Sequence, residues 1–250
     1  MAIIYFYTFL SIIIVSLISF IGILTLALPK DKINRITLFF VSLSAGTLLG
    51  GAFLHLMPEV IEKNGSGLAV WLWLLAGVIT FFSLEKIICW RHCHVPTSSD
   101  HPHPLGIMNL IGDALHNFLD GIVIAGAFLV SVPLGLTTSL AVIIHEIPQE
   151  IADFGVLIHA GFSRKKALLF NFLIALTSLL GAAFSLFIGA KLENFSAYII
   201  PFTAGGFIYI ASSDLIPELK KENQPLKSFF YLIFIILGIG IMLGLKFLFE

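Results

Sequence analysis

Long apolar runs make up most of this chain, and polar residues break them at only a few places. Runs of about 20 residues match the thickness of a bilayer core when helical. The pattern predicts eight transmembrane helices, at 3–28, 36–57, 68–89, 107–130, 134–160, 166–190, 196–217 and 227–249. Connections are short except for 90–106, which is polar and rich in Pro and His. Two adjacent runs carry polar residues at helical spacing. Asp113, His116, Asn117 and Asp120 share one helix face, and so do His145, Glu146, Gln149, Glu150 and Asp153. A turn near Ser131-Val132-Pro133 predicts an antiparallel hairpin, with position 116 level with 148 and 120 level with 144. Each of the five carboxylates would cost roughly 2.5–3.5 kcal/mol if it faced lipid. They must face a partner, a cavity or an ion.

Composition turns this pattern into a class. The chain is 58% hydrophobic and 12% charged, with mean hydropathy +1.02, far from a soluble domain. Residues 1–250 read as one polytopic membrane domain with the lipid bilayer as its surroundings. The first segment is too long for a signal-peptide core and reads as a true span. A net charge of -1 argues against a nucleic-acid partner. Cys89 and Cys93 lie close together and suggest no disulfide scaffold.

Basic residues then orient the spans. With both termini outside, the inner connections hold Lys30, Lys32, Arg35, Lys86, Arg91, Arg164, Lys165, Lys166, Lys220, Lys221 and Lys227, leaving Lys63, Lys191 and Lys246 outside. This bias places the 90–106 loop in the cytoplasm; the expected location is the plasma membrane, as a multi-pass protein with both termini outside.

The chain also repeats itself. Ala45-Gly46 and the later His55-Leu56-Met57-Pro58-Glu59 match Ala204-Gly205 and Asp214-Leu215-Ile216-Pro217-Glu218 at one constant offset of 159. The second and seventh spans run in opposite directions, so the repeat is inverted. It relates spans 1–3 to 6–8 around the central hairpin, a 3+2+3 arrangement typical of secondary transporters.

The hairpin's side chains suit a metal ion. Imidazole and carboxylate favour zinc, iron(II) or manganese, and the absence of Cys from these spans disfavours copper(I). His116 and Asp120 are one turn apart, with Asn117 and Glu146 beside them to extend the coordination. Pro148 has no N–H and leaves the Ile144 carbonyl unclaimed by the helix, a ready oxygen ligand or water anchor. Gly121, Gly126 and Gly155 would let helices approach closely. His55 and Asp214 sit near span ends, where polar residues are ordinary, yet their matched places suggest a vestibule. Asp113 and Asp153 fit a pathway. His92, Cys93, His94, His101 and His103 could collect metal weakly or form a plain polar linker. His159 reads as a solvated helix-end residue.

These residues resemble the ZIP (Zrt/Irt-like) zinc–iron permease family. His116-Asn117-Phe118-Leu119-Asp120-Gly121 looks like its fourth-helix motif, and His145-Glu146-Ile147-Pro148-Gln149-Glu150 with Asp153-Phe154 looks like its fifth. The resemblance implies a metal site at His116, Asn117, Asp120, His145, Glu146 and position 149 that moves divalent cations, zinc foremost, into the cytosol. It implies no resident cofactor and no enzymatic step. It also implies that spans 1, 4, 5 and 6 slide against spans 2, 3, 7 and 8, often in a homodimer. Gln149 departs from the His or acidic residue usual there, which weakens a two-metal site. Gly51 stands where some relatives carry Asp. The rival reading is an intramembrane metal-dependent hydrolase, since His-Glu-x-x-His on a helix is a zinc protease motif. Here the second His is replaced by Gln149, and Pro148 disturbs the spacing.

Overall fold

The expected apolar runs fold as helices in a computed structural model that describes residues 2–23, 30–90, 105–189, 191–192 and 194–249. Helix α1 is Ala2–Ile18, prolonged by a 3-10 turn Ser19–Ile23. Helix α2 starts as Lys30–Gly50, passes through a π-helical segment Gly51–Leu56 and ends as Met57–Asn64. Helix α3 is Leu68–Trp90, α4 is Leu105–Val130 and α5 is Val132–His159. Helix α6 runs Arg164–Ala175 and resumes as Thr177–Gly189. Helix α7 is Phe195–Tyr209, a π segment Ile210–Leu215 and Ile216–Leu219, and α8 is Pro225–Phe249. Six of these are long and apolar enough to cross a membrane, as expected of an all-α, multi-pass membrane protein. Leu68–Leu84 is a shorter apolar stretch. Helix α5 is not among the six, and it is the one that carries His145, Glu146, Gln149, Glu150 and Asp153.

The internal repeat is written in the backbone as well. The two π segments, 51–56 and 210–215, are separated by the same 159 residues as the matched motifs, and each precedes a proline, Pro58 or Pro217. A π turn leaves one carbonyl without its usual donor, and in α2 the Lys246 ammonium donates to the Leu54 carbonyl at 2.8 Å. Packing repeats too. A Cβ added at Gly46 would strike the Ile235 carbonyl oxygen, and one at Gly205 would strike that of Leu74. So α2 lies backbone to backbone on α8, and α7 lies the same way on α3.

The remaining helices form a second group. Gly121 of α4 abuts the Ser178 carbonyl, and Gly181 of α6 abuts that of Phe118. Helix α1 packs on α5, and the Ser16 hydroxyl donates to the Ala175 carbonyl of α6 at 3.2 Å. Ser131 alone separates α4 from α5 and caps α5 by accepting from the Leu134 N–H at 3.2 Å, with Pro133 in the first turn. The predicted hairpin turn is therefore present. The two groups meet chiefly where α2 packs on α5 and α7 on α4.

Candidate metal site

Because α4 and α5 are antiparallel and joined by one residue, their polar faces meet at one level. His116, Asp120, His145 and Glu146 come together there, each offering one donor atom within 4.8 Å of all the others. The two imidazole Nε2 atoms are 3.1 Å apart. His145 Nε2 is 3.3 Å from Asp120 Oδ2 and 3.5 Å from Glu146 Oε1. His116 Nε2 is 3.7 Å and 3.5 Å from the same two oxygens. A tetrahedral zinc ion with bonds of about 2.0–2.1 Å needs donors about 3.3 Å apart. These separations fit one such ion.

Protonation and packing prepare the donors. His145 Nδ1 lies 3.2 Å from the Ala141 carbonyl, which can only accept, so Nδ1 is the donor there and Nε2 is the nitrogen turned to the cluster. Edge contacts with Phe81 and Phe207 hold the His116 and His145 rings. Asp120 Oδ2 and Glu146 Oε1 are buried with no hydrogen-bond partner among the described residues. An orphaned carboxylate oxygen is costly away from water. Two of them turned on one pair of imidazoles suit a cation.

A cavity of about 850 Å³ lined by α2, α3, α4, α5 and α7 reaches His116 and His145. His116 is 17% exposed against 1% for the other three side chains, so it is the most accessible of the four donors.

The other expected residues fall into a tier beyond this cluster. Asn117 Nδ2 donates to Asp113 Oδ1 at 2.8 Å, and Gln149 Nε2 donates to the same oxygen at 3.3 Å. Both amide nitrogens thus turn toward Asp113, and Asn117 Oδ1 is buried without a hydrogen-bond partner among the described residues. Glu150 Oε2 accepts from Asn171 of α6 at 2.9 Å, and Asp153 Oδ1 accepts from Asn109 at 3.0 Å. Asp113, Glu150 and Asp153 each keep one buried oxygen without a hydrogen-bond partner among the described residues. Asn109 and Asn171 were missed in the sequence, although an Asn inside an apolar run was the available signal.

The remaining expectations concern residues away from the cluster. His55 is buried between α2 and α8, with Nε2 2.8 Å from the Met242 carbonyl, and it does not line the cavity. Asp214 lies in the second π segment, and its side chain is outside the described residues, as is that of His159. His92, Cys93, His94, His101 and His103 are also outside them. The Ile144 carbonyl is not left open as a ligand: the Ser44 hydroxyl of α2 donates to it at 2.9 Å. Pro148 frees the carbonyl as expected, and a neighbouring helix claims it.

Comparison with known proteins adds an independent finding. The family model described as ZIP zinc transporter matches residues 3–106 and 91–246. Zinc transporter ZIP13 of Pongo abelii is 36% identical over 217 residues, covering 81% of this chain and 64% of that protein. The Mus musculus protein of the same name is 32% identical over 252 residues, covering 84% of this chain and 70% of its own length. The Zinc transporter ZIP13 homolog of Drosophila melanogaster is 30% identical over 287 residues, covering 89% and 80%. The chain spans less than two thirds of the first of these relatives and somewhat more of the others.

Proposed function

The chain belongs to the ZIP zinc transporter family, and from that premise we propose that it carries divalent metal ions, zinc foremost, through the four-donor site between α4 and α5. The observation that carries the reading is the cluster itself. Two imidazoles and two orphaned carboxylate oxygens cluster at zinc-sized spacing, and both imidazoles line the cavity. Two nitrogens and two carboxylate oxygens suit Zn²⁺, with iron(II) and manganese next. The ion is cargo. It must be held well enough to enter and loosely enough to leave.

All eight helices cross the membrane on this reading, in a 3+2+3 arrangement with both termini outside. The support is the repeated pair of π segments, the matched glycine seams and the bias of basic residues. The open cavity then faces the cytosol. An ion released from His116 passes the tier of Asp113, Glu150 and Asp153, whose unpartnered oxygens and flanking amides offer weaker, harder ligation on the way out. Gln149 and Asn117 belong to this tier as amide donors that hold Asp113. Hydrolysis has no comparable support, because the position of the second protease histidine is Gln149, which points to Asp113.

The test is zinc uptake into proteoliposomes by the purified protein, with His116→Ala beside it. Uptake should be saturable in wild type and near background in His116→Ala. Equal uptake by both would remove this site from the pathway, and uptake by neither would end the transport reading.

A further inference from the structure

We infer that Ser44 is a positioning residue that sets the balance between the arrangement seen here and one in which α2 and α5 have separated. The inference rests on the transport reading only in supposing that the two helix groups move against each other. The grounds are local. Pro148 has no N–H to return to the Ile144 carbonyl, so helix α5 cannot satisfy that oxygen itself. Ser44, fully buried on α2, donates its hydroxyl hydrogen to it at 2.9 Å. This bond crosses from one helix group to the other. The bonds of Ser16, Asn109 and Asn171 described for the α1, α4, α5 and α6 group stay within it, as does that of the Thr177 hydroxyl to the Ala114 carbonyl at 2.9 Å. Those of His55 and Lys246 to Met242 and Leu54 stay within the other.

The crossing bond is built to be exchanged. A hydroxyl has one hydrogen, and Ser44 Oγ also lies 2.6 Å from the Phe40 carbonyl one turn back on its own helix. When α2 and α5 part, the hydrogen can pass to Phe40 and Ser44 loses no partner. The Ile144 carbonyl does lose one, next to the ligand His145, and it must then find water or the ion. Ser44 therefore favours the present arrangement without locking it. The repeat supplies a comparison within the molecule. Thr203, the counterpart of Ser44, donates to Ile199 one turn back at 2.8 Å, the bond equivalent to Ser44 with Phe40. No proline interrupts α4 beside it.

The experiment uses full-length protein with Cys89→Ser and Cys93→Ser, spin-labelled at Thr37→Cys on α2 and Ala152→Cys on α5, both lining the cavity. The distance distribution reports the ratio of the two arrangements, and no transport is required. Leaving a buried carbonyl unpaired in one arrangement shifts such a ratio on the order of tenfold. Ser44→Ala should lower the share of the arrangement seen here by that factor, and Ser44→Thr should restore it. In a Pro148→Ala background the helix regains an N–H for Ile144, and Ser44→Ala should then have little effect. A folded Ser44→Ala whose distribution superimposes on wild type overturns the inference. So does an equal shift with and without Pro148. Zinc uptake by the wild type, measured separately, decides the transport reading on its own.

Discussion

Helices α2 and α7 are copies of one device, and α4 and α5 are not. Both copies carry a π segment, a following proline, a buried Ala-Gly pair and a backbone-close seam against a partner helix. Their side chains have nevertheless diverged: His55 stands where Asp214 does, and Ser44 where Thr203 does. The hairpin between them holds all four clustered donors. The difference teaches that the repeat preserves a frame, whose tolerances are set by backbone contacts. The clustered donors sit in the part that is not repeated, on two neighbouring helices.

The sharpest way to break this comparison is to change the hairpin. His145→Ala or Glu146→Ala should cut zinc uptake on the order of 100-fold or more, since even outer-shell changes at metal sites cost 10–100-fold. Unfolding temperature in detergent should change little or rise, because one orphaned oxygen or buried imidazole is relieved. If these variants transport normally, the hairpin is not where the chemistry lies.

The frame should fail differently. Gly46→Leu and Gly205→Leu each push a side chain into a facing carbonyl, costing at least about 1–3 kcal/mol each by overpacking. The two losses, read from thermal unfolding, should be similar. Gly155→Ala has open space and should cost almost nothing. A large difference between the two seams would show that they are not equivalent.

Gln149→His sharpens the boundary between the cluster and the tier below. The side chain at 149 points to Asp113, so the new imidazole would join that carboxylate and create a second, weaker binding equivalent. Calorimetric titration should show it, with turnover reduced as release slows. A stoichiometry still at one would place position 149 outside any metal path.

The frame was readable in the sequence because long apolar runs and a fixed offset are one-dimensional signals. Each predicted run falls on a helix, and the turn at Ser131 is present. His116, Asp120, His145 and Glu146 were legible because helical spacing fixes which residues share a face. Spacing could not show that the Asn117 and Gln149 amides both donate to Asp113, since that depends on which way a rotatable amide turns. Nor could it reveal Ser44, which sits 100 residues from the carbonyl it serves. Nor could spacing show that His55, matched to Asp214 in the repeat, bonds the Met242 carbonyl across the α2–α8 seam.

Two smaller tests complete the comparison. Lys246→Met removes the donor to Leu54 and should cost about 1 kcal/mol, seen as a modest drop in unfolding temperature with uptake intact. Deleting residues 92–103 should change uptake by no more than about twofold, as a connection outside both frame and hairpin. Abolished uptake in a well-expressed deletion would give that loop a role in transport.

The single residue between α4 and α5 bears on how the protein enters a membrane during synthesis. Helix α5 carries three carboxylates, two histidines and an internal proline, and it is not among the helices apolar enough to cross alone. Helix α4 is among them and emerges from the ribosome first. With Ser131 as the only connection, α5 has no slack to wait in water while α4 settles in lipid. The two should partition as one hairpin, with polar faces already turned inward. Such a hairpin exposes to lipid mainly its apolar sides, and its donors meet before the last three helices have been made.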